Sequence, residues 1–352
     1  MARATRQNPE IREFLLRNVT DHPAGLTAMV VQEFGLSRMA ILRYVRRLID
    51  EGLLTAQGTT SARRYALAKL ADDRFEIKLS AGFPEDTVWR FRVLPHMNGV
   101  RKNVLDICQY GFTEMLNNAI DHSVSPDAII AVERTYDLIQ MTIIDRGVGI
   151  FEKIQKDFAL PDPRSALLEL SKGRLTSDAK RHSGEGIFFT SRMFDDFSIL
   201  SGSLNYARHR KDDSDWLIET EDRPGYEVGT GIRMKISSDA PWTMREVFDR
   251  YQNDGVGFRK THVPVKLGKY PGEQLVSRSQ AKRVLARFDQ FSEVFLDFNG
   301  VDQVGQAFAD EIFRVFRNSH PDVNVVAIGT NDQIERTIRA VQEGGLTPER
   351  AP

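Results

Sequence analysis

Three separated segments carry the residues best suited to chemistry, GFTEMLNNAIDHS at 111–123, IIDRGVGI at 143–150 and HSGEGIFFTSRM at 182–193. In the first, Glu114 and Asn118 are four residues apart, so on a helix they share one face. The amide oxygen of Asn118 suits the hard-oxygen shell of a Mg²⁺ ion that bridges phosphates. The carboxylate of Glu114 can hold or deprotonate a water near a γ-phosphate. We therefore predict Glu114 as the catalytic residue and Asn118 as the magnesium ligand.

The other two segments add a base-binding carboxylate and a phosphate-binding turn. Asp145 ends a predicted strand, and a carboxylate there can accept a hydrogen bond from the exocyclic amine of adenine. Gly184 and Gly186 precede a helix whose N-terminal amides suit a phosphate. Thr230, on a late strand, can complete the adenine site with its hydroxyl. The predicted set for ATP comprises Asn118, Asp121, Asp145, Gly147, Gly149, Ile150, Lys172, His182, Gly184, Glu185, Gly186, Ile187 and Thr230.

A charged stretch with prolines and a glycine, residues 151–183, separates the second segment from the third and predicts a mobile cover. Lys172, Lys180, Arg181 and His182 lie in it and could reach phosphates. The alternative is that these side chains are simply exposed to solvent, which is the commoner fate of surface charges.

The order and context of the three segments resemble the N, G1 and G2 boxes of the GHKL ATPase and kinase superfamily, over about residues 85–238. The anti-sigma-factor serine kinase group is similar around Asn118-Ala119-Ile120-Asp121-His122 and in GEGIFFTSRMFDD at 184–196. The resemblance implies an α/β sandwich that binds Mg-ATP under a flexible lid.

The N-terminal residues predict a DNA-binding head. Three helices and a β-hairpin follow one another over residues 1–70, an order typical of a winged helix-turn-helix. Residues 1–70 hold eleven Lys and Arg against six Asp and Glu, although the whole chain of 352 residues has a net charge of −1. A helix capped by Ser37 can enter the major groove of double-stranded DNA, and the hairpin tip can reach the backbone. The predicted DNA contacts are Ser37, Arg38, Arg43, Arg46, Arg47, Arg63 and Arg64. The alternative is a winged helix that serves protein contacts or dimerisation.

The C-terminal part alternates strands and helices, which predicts a small α/β domain. The stretch VFLDFNGVDQVGQAFADEIFRVF at 294–316 resembles the STAS-like module that partners anti-sigma kinases. Phosphorylatable members carry a hydroxyl residue before the helix, whereas this chain has Gly305-Gln306-Ala307-Phe308. We therefore expect a docking or dimerisation module. The whole order also resembles a bacterial family of ATP-binding proteins with a STAS-like domain of unknown function.

These observations predict a multi-domain α/β protein: a winged helix-turn-helix at 1–70, a connector at 71–98, a GHKL α/β sandwich at 99–238, a second connector at 239–274, a STAS-like domain at 275–345 and a disordered tail at 346–352. A single cysteine, Cys108, excludes an intrachain disulfide. That cysteine usage, together with the lack of a signal-peptide core or an apolar run of about 20 residues, leads us to expect a cytoplasmic protein without membrane association.

Three functions fit this organisation. The first is an ATP-responsive DNA-binding regulator, acting as a homodimer and with a protein partner on the STAS-like domain. The second is a serine/threonine kinase acting on a separate partner, and the third is a slow ATPase. A sensor histidine kinase fits least, because a phosphoacceptor helix segment is missing before residue 100 and His96 lies in a connector beside Pro95.

Overall fold

The computed structural model describes residues 8–59, 62–80, 84–175, 184–212, 214–219, 228–253, 257–270 and 272–344. These residues form a mixed α/β protein with several sheets. The predicted contributors Lys180, Arg181 and His182, and the predicted tail at 346–352, lie outside the described residues. Among the residues described, no helix has both the length and the apolar character to cross a membrane.

The N-terminal unit has three helices followed by an antiparallel hairpin. Its elements are α1 Pro9–Asn18, α2 Leu26–Phe34, α3 Arg38–Asp50, β1 Leu54–Gln57 and β2 Arg64–Leu67. Ser37 caps α3, because its hydroxyl accepts from the amide of Ala40. Ile41, Val45 and Leu48 lie on the buried face of α3 at the spacing that a helix requires. This unit has an apolar core of its own, separate from the core of the rest of the chain.

The central unit is built on a seven-stranded antiparallel sheet. Its elements are β3 Ala71–Lys78, α4 Glu85–Val88, α5 Lys102–His122, β4 Asp127–Arg134, β5 Leu138–Asp145, α6 Ile150–Asp157, α7 Pro163–Lys172, α8 Gly186–Met193, β6 Asp196–Ser201, β7 Leu204–His209, β8 Ser214–Glu219 and β9 Thr230–Ser237. The strand order is β3-β4-β5-β9-β6-β7-β8. Strand β9 therefore lies between β5 and β6, and this insertion pairs Thr230 with Asp145.

Two segments of this unit differ from the sequence expectation. Residues 71–98 were predicted to be a connector, but β3 pairs with β4 along its full length and the segment after it packs Trp89 against Phe112 of α5. The many charges of the stretch RHRKDDSD at 208–215 favour a loop between strands, but the stretch contributes to β7 and β8. Over this stretch the strands show no apolar alternation, because buried charged residues on them pair with each other. Arg208 of β7 and Asp215 of β8 form such a pair at 2.6 Å.

The C-terminal unit is a parallel three-stranded sheet flanked by helices. Its elements are α9 Met244–Tyr251, β10 Gln252–Asn253, β11 Gly257–Phe258, β12 Lys260–Pro264, α10 Arg278–Leu285, β13 Glu293–Asp297, α11 Gln306–Asp310, α12 Arg317–Ser319, β14 Asn324–Ile328 and α13 Asp332–Gly344. The strand order is β12-β13-β14. Residues 239–274 were predicted to be a connector, but β12 is the first strand of this sheet. Its five residues mix charged, polar and apolar types, so they show no strand alternation to detect.

The central and C-terminal units share one continuous apolar core. Phe258 lies at their junction, with its ring centroid 4.6 Å from that of Phe188 in α8 and 5.7 Å from that of Phe291. Contacts of this kind bury aromatic surface on both sides, so the two units are held together as a packed interface. Cys108 is fully buried in the same core, and burial raises the pKa of its thiol to about 12, which makes it a structural residue.

Candidate functional site

A cavity of about 350 Å³ lies between α5, α6, α8 and the ends of strands β5 and β9. Eight of the residues predicted from sequence line it: Glu114, Asn118, Asp145, Ile150, Gly184, Gly186, Ile187 and Thr230. Its volume is in the lower part of the range of about 300–1,000 Å³ that is typical of small-molecule sites. The structure thus brings residues from all three sequence segments, and one more strand, to a single concave site.

One end of the cavity holds the carboxylate of Asp145. It is 6% exposed, accepts a hydrogen bond from the amide of Gly147 at 2.9 Å and lies beside Thr230 on the adjacent strand. Burial raises the pKa of Asp145 to about 6, although backbone amides oppose the shift. The hydroxyl of Thr230 accepts from the amide of Ile150 at 3.0 Å and so fixes the start of α6. A buried carboxylate with few donors can accept from a ligand amine.

The turn after Asp145 packs tightly against the end of α5. A Cβ at Gly147 would overlap the carbonyl oxygen of Ser123, and the amide of Val148 donates to that same oxygen at 2.6 Å. A Cβ at Gly149 would lie 2.5 Å from the hydroxyl of Ser201. Gly147 is therefore required by close approach of the backbone, whereas a side chain at Gly149 would require the Ser201 hydroxyl to move. Neither glycine lines the cavity.

The other end of the cavity holds Glu114 against the start of α8. A Cβ at Gly186 would overlap the carboxylate oxygen Oε2 of Glu114, so a larger residue there would require that carboxylate to move. Gly184, two residues earlier, has a φ of 71°, in the left-handed region that favours glycine. A carboxylate is therefore held directly at a helix N-terminus, the position where an incoming phosphate and its attacking water would lie.

Helix α5 presents Glu114, Asn118 and His122 to the cavity at successive steps of four residues. Asn118 lies between the two ends, where an amide oxygen can serve one cation bound to phosphates. Among the described residues, no group of three or more His, Cys, Asp or Glu could hold a metal ion. A magnesium ion here would therefore depend on ligand phosphates and water for most of its shell, as Mg²⁺ commonly does.

Lys172 is not at this site, which corrects the prediction that it reaches a phosphate from a mobile cover. Its ammonium group is fully buried, 2.6 Å from Glu169 and 2.9 Å from the carbonyl oxygen of Ala286 in the C-terminal unit. Burial lowers the pKa of Lys172 to about 8, an effect that Glu169 opposes. Sequence periodicity could not reveal that Lys172 is buried, because its acceptor Ala286 lies more than a hundred residues away in the chain.

The cover itself also differs from the prediction over its described part. Residues 151–175 contain two helices, and every residue of α7 from Ser165 to Lys172 is buried. Leu170 and Leu175 line the cavity, so this region forms one wall of it. Two further lining residues, Lys153 and Asp157 of α6, were missed by sequence analysis and form an ion pair at 3.0 Å. Their spacing of four residues was the available signal.

Two further predicted residues lie outside the lining. Asp121 is exposed on α5, next to the lining residue His122 but on another face. Glu185 lies before α8 and does not line the cavity; burial raises the pKa of its carboxyl group. Both were chosen for their place within a motif, and one helical step of 100° is enough to turn a neighbour away from a cavity.

The predicted nucleic-acid contacts are on the surface of the N-terminal unit. Arg38, Arg43, Arg46 and Arg47 of α3 are exposed, opposite its buried stripe, and Arg47 lies 3.5 Å from Glu51. Arg63 and Arg64, at the start of β2, are also exposed. The six cations and the cap Ser37 thus occupy one helix and the adjoining hairpin.

The N-terminal unit joins the central sheet at the end of β5 remote from Asp145. Tyr136, in the turn before β5, donates to Glu13 of α1 at 2.6 Å and packs against the N-terminal core. Arg17 lies 3.0 Å from Asp239, which follows β9. The strands that carry Asp145 and Thr230 therefore extend from the cavity to the base of the N-terminal unit.

Comparison with known families identifies one part of the chain. The model of a STAS-like domain of unknown function (DUF4325) matches residues 280–335, from α10 into α13. The prediction of a STAS-like domain at 275–345 is confirmed over those residues. A search of curated proteins returned no match to the chain.

Proposed function

We propose that this protein is an ATP-binding regulator that binds double-stranded DNA through its N-terminal unit and changes its DNA or partner binding with nucleotide occupancy. One observation carries the proposal: a single cavity with the buried Asp145 and Thr230 at one end, and Glu114 against Gly186 at the other. Adenine would lie at the first end and phosphates at the helix N-terminus of the second. The same arrangement supports assignment of the central unit to the GHKL α/β sandwich.

The residues present fit a Mg-ATP ligand. Asp145 and Thr230 would hold the adenine ring, while Ile143 and Ile232 offer it apolar walls. Asn118 would contribute one ligand to the magnesium ion, which neutralises phosphate charge when it is bound. Glu114 is placed to orient a water or an acceptor hydroxyl.

Exposed cations on one face of the N-terminal unit support the DNA-binding part of the proposal. The guanidinium groups on α3 can pair with guanine edges or phosphates, and the hairpin can follow the backbone as the wing of a winged helix. Because the N-terminal unit has an apolar core of its own, it can bind DNA as one folded unit.

Nucleotide-dependent switching is supported by α7, which contacts both the cavity and the STAS-like domain. Leu170 lines the cavity, and two residues later Lys172 donates to Ala286. Any ligand that binds more tightly to one arrangement of α7 than to another shifts its equilibrium and that of the docked domain. A partner or a second copy of the chain that binds the STAS-like domain would act on the same helix.

The test combines nucleotide and DNA binding on the full chain. We expect fluorescent ATP to bind in the presence of Mg²⁺, and Asp145→Asn to weaken binding at least tenfold. Asp106→Asn, on the solvent side of α5, is the matched control and should bind normally. In a selection from random duplexes, the wild-type chain should enrich a defined site, whereas Arg43→Ala/Arg46→Ala should not. Lys102→Ala, outside the N-terminal unit, controls for loss of one surface charge.

DNA affinity that is the same with and without Mg-ATP, in both wild-type and Asp145→Asn proteins, would refute the switch. If the Asp145→Asn variant binds ATP as tightly as the wild-type chain does, the proposed adenine site is refuted. The two halves of the proposal are thus separable.

The position of Glu114 favours a second candidate, phosphoryl transfer to a separate protein or to water. The stretch that opens α11 in the STAS-like domain has Gly305, Gln306 and Ala307, so the domain lacks an acceptor hydroxyl at that point of the chain. Mass analysis of nucleotide and protein after incubation with Mg-ATP distinguishes the outcomes. Added phosphate on a partner indicates a kinase, ADP alone indicates an ATPase, and intact ATP indicates a sensor; Glu114→Gln should abolish either turnover.

A further inference from the structure

A second cavity, of about 250 Å³, lies on the other side of α8, between that helix, β7 and α9. Four of its six lining residues are arginines: Arg192, Arg208, Arg210 and Arg250, with Val247 and Tyr251. It shares no lining residue with the cavity that holds Asp145. Four guanidinium groups around one small volume favour an anionic ligand by their summed positive charge.

The base of this cavity consists of two buried guanidinium groups. Arg192 is 3% exposed and Arg208 is 2% exposed. The guanidinium of Arg192 stacks on Phe188, 3.4 Å from the ring centroid, and donates to the carbonyl oxygens of Phe188 and His262 at 3.1 and 3.3 Å. Carbonyl oxygens satisfy hydrogen-bond donors but leave the positive charge of the guanidinium in place.

One buried ion pair lies at the base of the cavity. Asp215 lies 2.6 Å from Arg208, and the phenol of Tyr206 also donates to it. Burial opposes the ionisation of Asp215, but Arg208 and Arg192 hold its pKa below the ordinary value. Arg192 has no ion pair with any described residue, and its buried Nε lacks a hydrogen-bond partner there. Burial, together with Arg208, lowers the pKa of Arg192.

The rim adds two more accessible cations. Arg210 is half-buried and stacks over Trp242 at 4.0 Å, an arrangement that holds the guanidinium plane in one orientation. Arg250 is exposed on α9, one residue before Tyr251, which forms part of the wall. Arginine side chains therefore line the cavity from its accessible rim to its buried base. Such an arrangement attracts an anion from solvent.

We propose that this cavity binds a small phosphate-class oxyanion, either inorganic phosphate or pyrophosphate or the phosphoryl group of a small metabolite. The planar fork of arginine matches phosphate oxygens in pairs. A phosphoryl group carries about −1.5 to −2 charges near pH 7, so it can pair with Arg192 and with the rim arginines together. The volume of about 250 Å³ lies below the roughly 300–1,000 Å³ of drug-sized ligand sites, which favours a small anion over a whole nucleotide.

The test measures binding of inorganic phosphate and pyrophosphate to the full chain by calorimetry, at an ionic strength held constant with NaCl. We expect saturable binding that Arg250→Ala weakens at least fivefold and Arg210→Gln weakens similarly. Arg245→Ala is the matched control, because Arg245 lies on the same helix, is exposed and does not line the cavity. A panel of small phosphate monoesters then separates a metabolite from the free ions, since the true ligand should bind more tightly than phosphate.

Gly186→Ala separates this site from the nucleotide cavity. That substitution should weaken ATP binding while phosphate affinity stays within twofold of wild type. The proposal would be overturned if the measured heat followed ionic strength alone and did not saturate with phosphate. An equal loss of phosphate affinity in Arg245→Ala and Arg250→Ala would also overturn it. Loss of phosphate binding in Gly186→Ala with retention in Arg250→Ala would assign the ion to the nucleotide cavity instead.

Discussion

Arg287 of the STAS-like domain donates to Glu169 of α7 at 2.9 Å, across the junction between the central and C-terminal units. The same guanidinium donates to the carbonyl oxygens of Gly173 and Arg174, which follow α7. Arg287 has a φ of 64°, an uncommon backbone conformation for a residue other than glycine. The surrounding structure therefore keeps the backbone of Arg287 in a conformation that it would otherwise avoid. One side chain thus holds the C-terminal end of the helix that forms a cavity wall.

Removal of this contact should loosen the cavity wall. We expect Arg287→Ala to increase amide hydrogen exchange over residues 165–175 and to weaken ATP binding about tenfold, because Leu170 and Leu175 would no longer be held in place. Hydrogen exchange with mass detection and nucleotide titration measure both effects. Arg278→Ala is the control, since Arg278 is exposed and, among the described residues, pairs with Asp310 and Glu311 of the C-terminal unit. Unchanged exchange in α7 would show that the apolar contacts alone hold this helix.

Glu169 should matter more for stability than either of its cationic partners. Its carboxylate serves both the buried Lys172 and the half-buried Arg287, so Glu169→Gln leaves both cations without that counter-charge and should cost about 3–5 kcal/mol. Lys172→Met retains the pair between Glu169 and Arg287 and should cost no more than about 2 kcal/mol, for the hydrogen bond lost at Ala286. Urea unfolding of both variants gives the comparison, and a larger loss in Lys172→Met would contradict it.

Asp145 should lower stability while it supports binding. Its folded pKa of about 6 lies above the ordinary 3.8, so the folded state binds more protons and stability falls as pH rises from about 4 to about 6. Asp145→Asn should therefore raise the free energy of unfolding at pH 7 by about 2–3 kcal/mol, at 1.36 kcal/mol per pKa unit. Differential scanning calorimetry at pH 4 and pH 7 tests this, and the gain should vanish at the lower pH.

ATP affinity should follow the same titration. Only the ionised Asp145 can accept strongly from an amine, so binding should weaken as pH falls below about 6. The Asp145→Asn variant should bind weakly with no such pH dependence. Titrations with fluorescent nucleotide between pH 5 and pH 8 measure this. If ATP affinity depends on pH equally steeply in Asp145→Asn, a titrating group other than Asp145 is responsible.

Gly186→Ala should displace Glu114. The added methyl group would overlap the carboxylate, and we expect at least tenfold weaker ATP binding and loss of any Glu114-dependent turnover. Gly231→Ala is a close control, because its Cβ would meet only ordinary contacts at 3.9 Å from Ile144 and Leu200. Equal effects of the two substitutions would show that general strain near the cavity, rather than the position of Glu114, is responsible.

Local periodicity was sufficient for most elements. The buried stripe of α3 with its cap at Ser37, and the helix that carries Glu114 and Asn118, follow from spacing within a few turns. The glycines at 147 and 186 follow from motif chemistry, and the structure supplies the reason in the atoms that a Cβ would strike. These features depend on residues close together in the chain, where pattern and conformation are directly linked.

Long-range pairing decided the rest. Strands β3 and β12 lie in segments predicted to be connectors, because their patterns are weak and only their partners stabilise them. Lys172 looked like a surface cation and is buried, since Glu169 and Ala286 surround it only after two units pack. The arginine cavity cannot be predicted from the sequence pattern, because its four cations come from α8, from β7 and the turn after it, and from α9. The sequence by itself determined the elements and the local motifs, whereas only the tertiary structure decided which charges are buried, because burial depends on contacts between residues far apart in the chain.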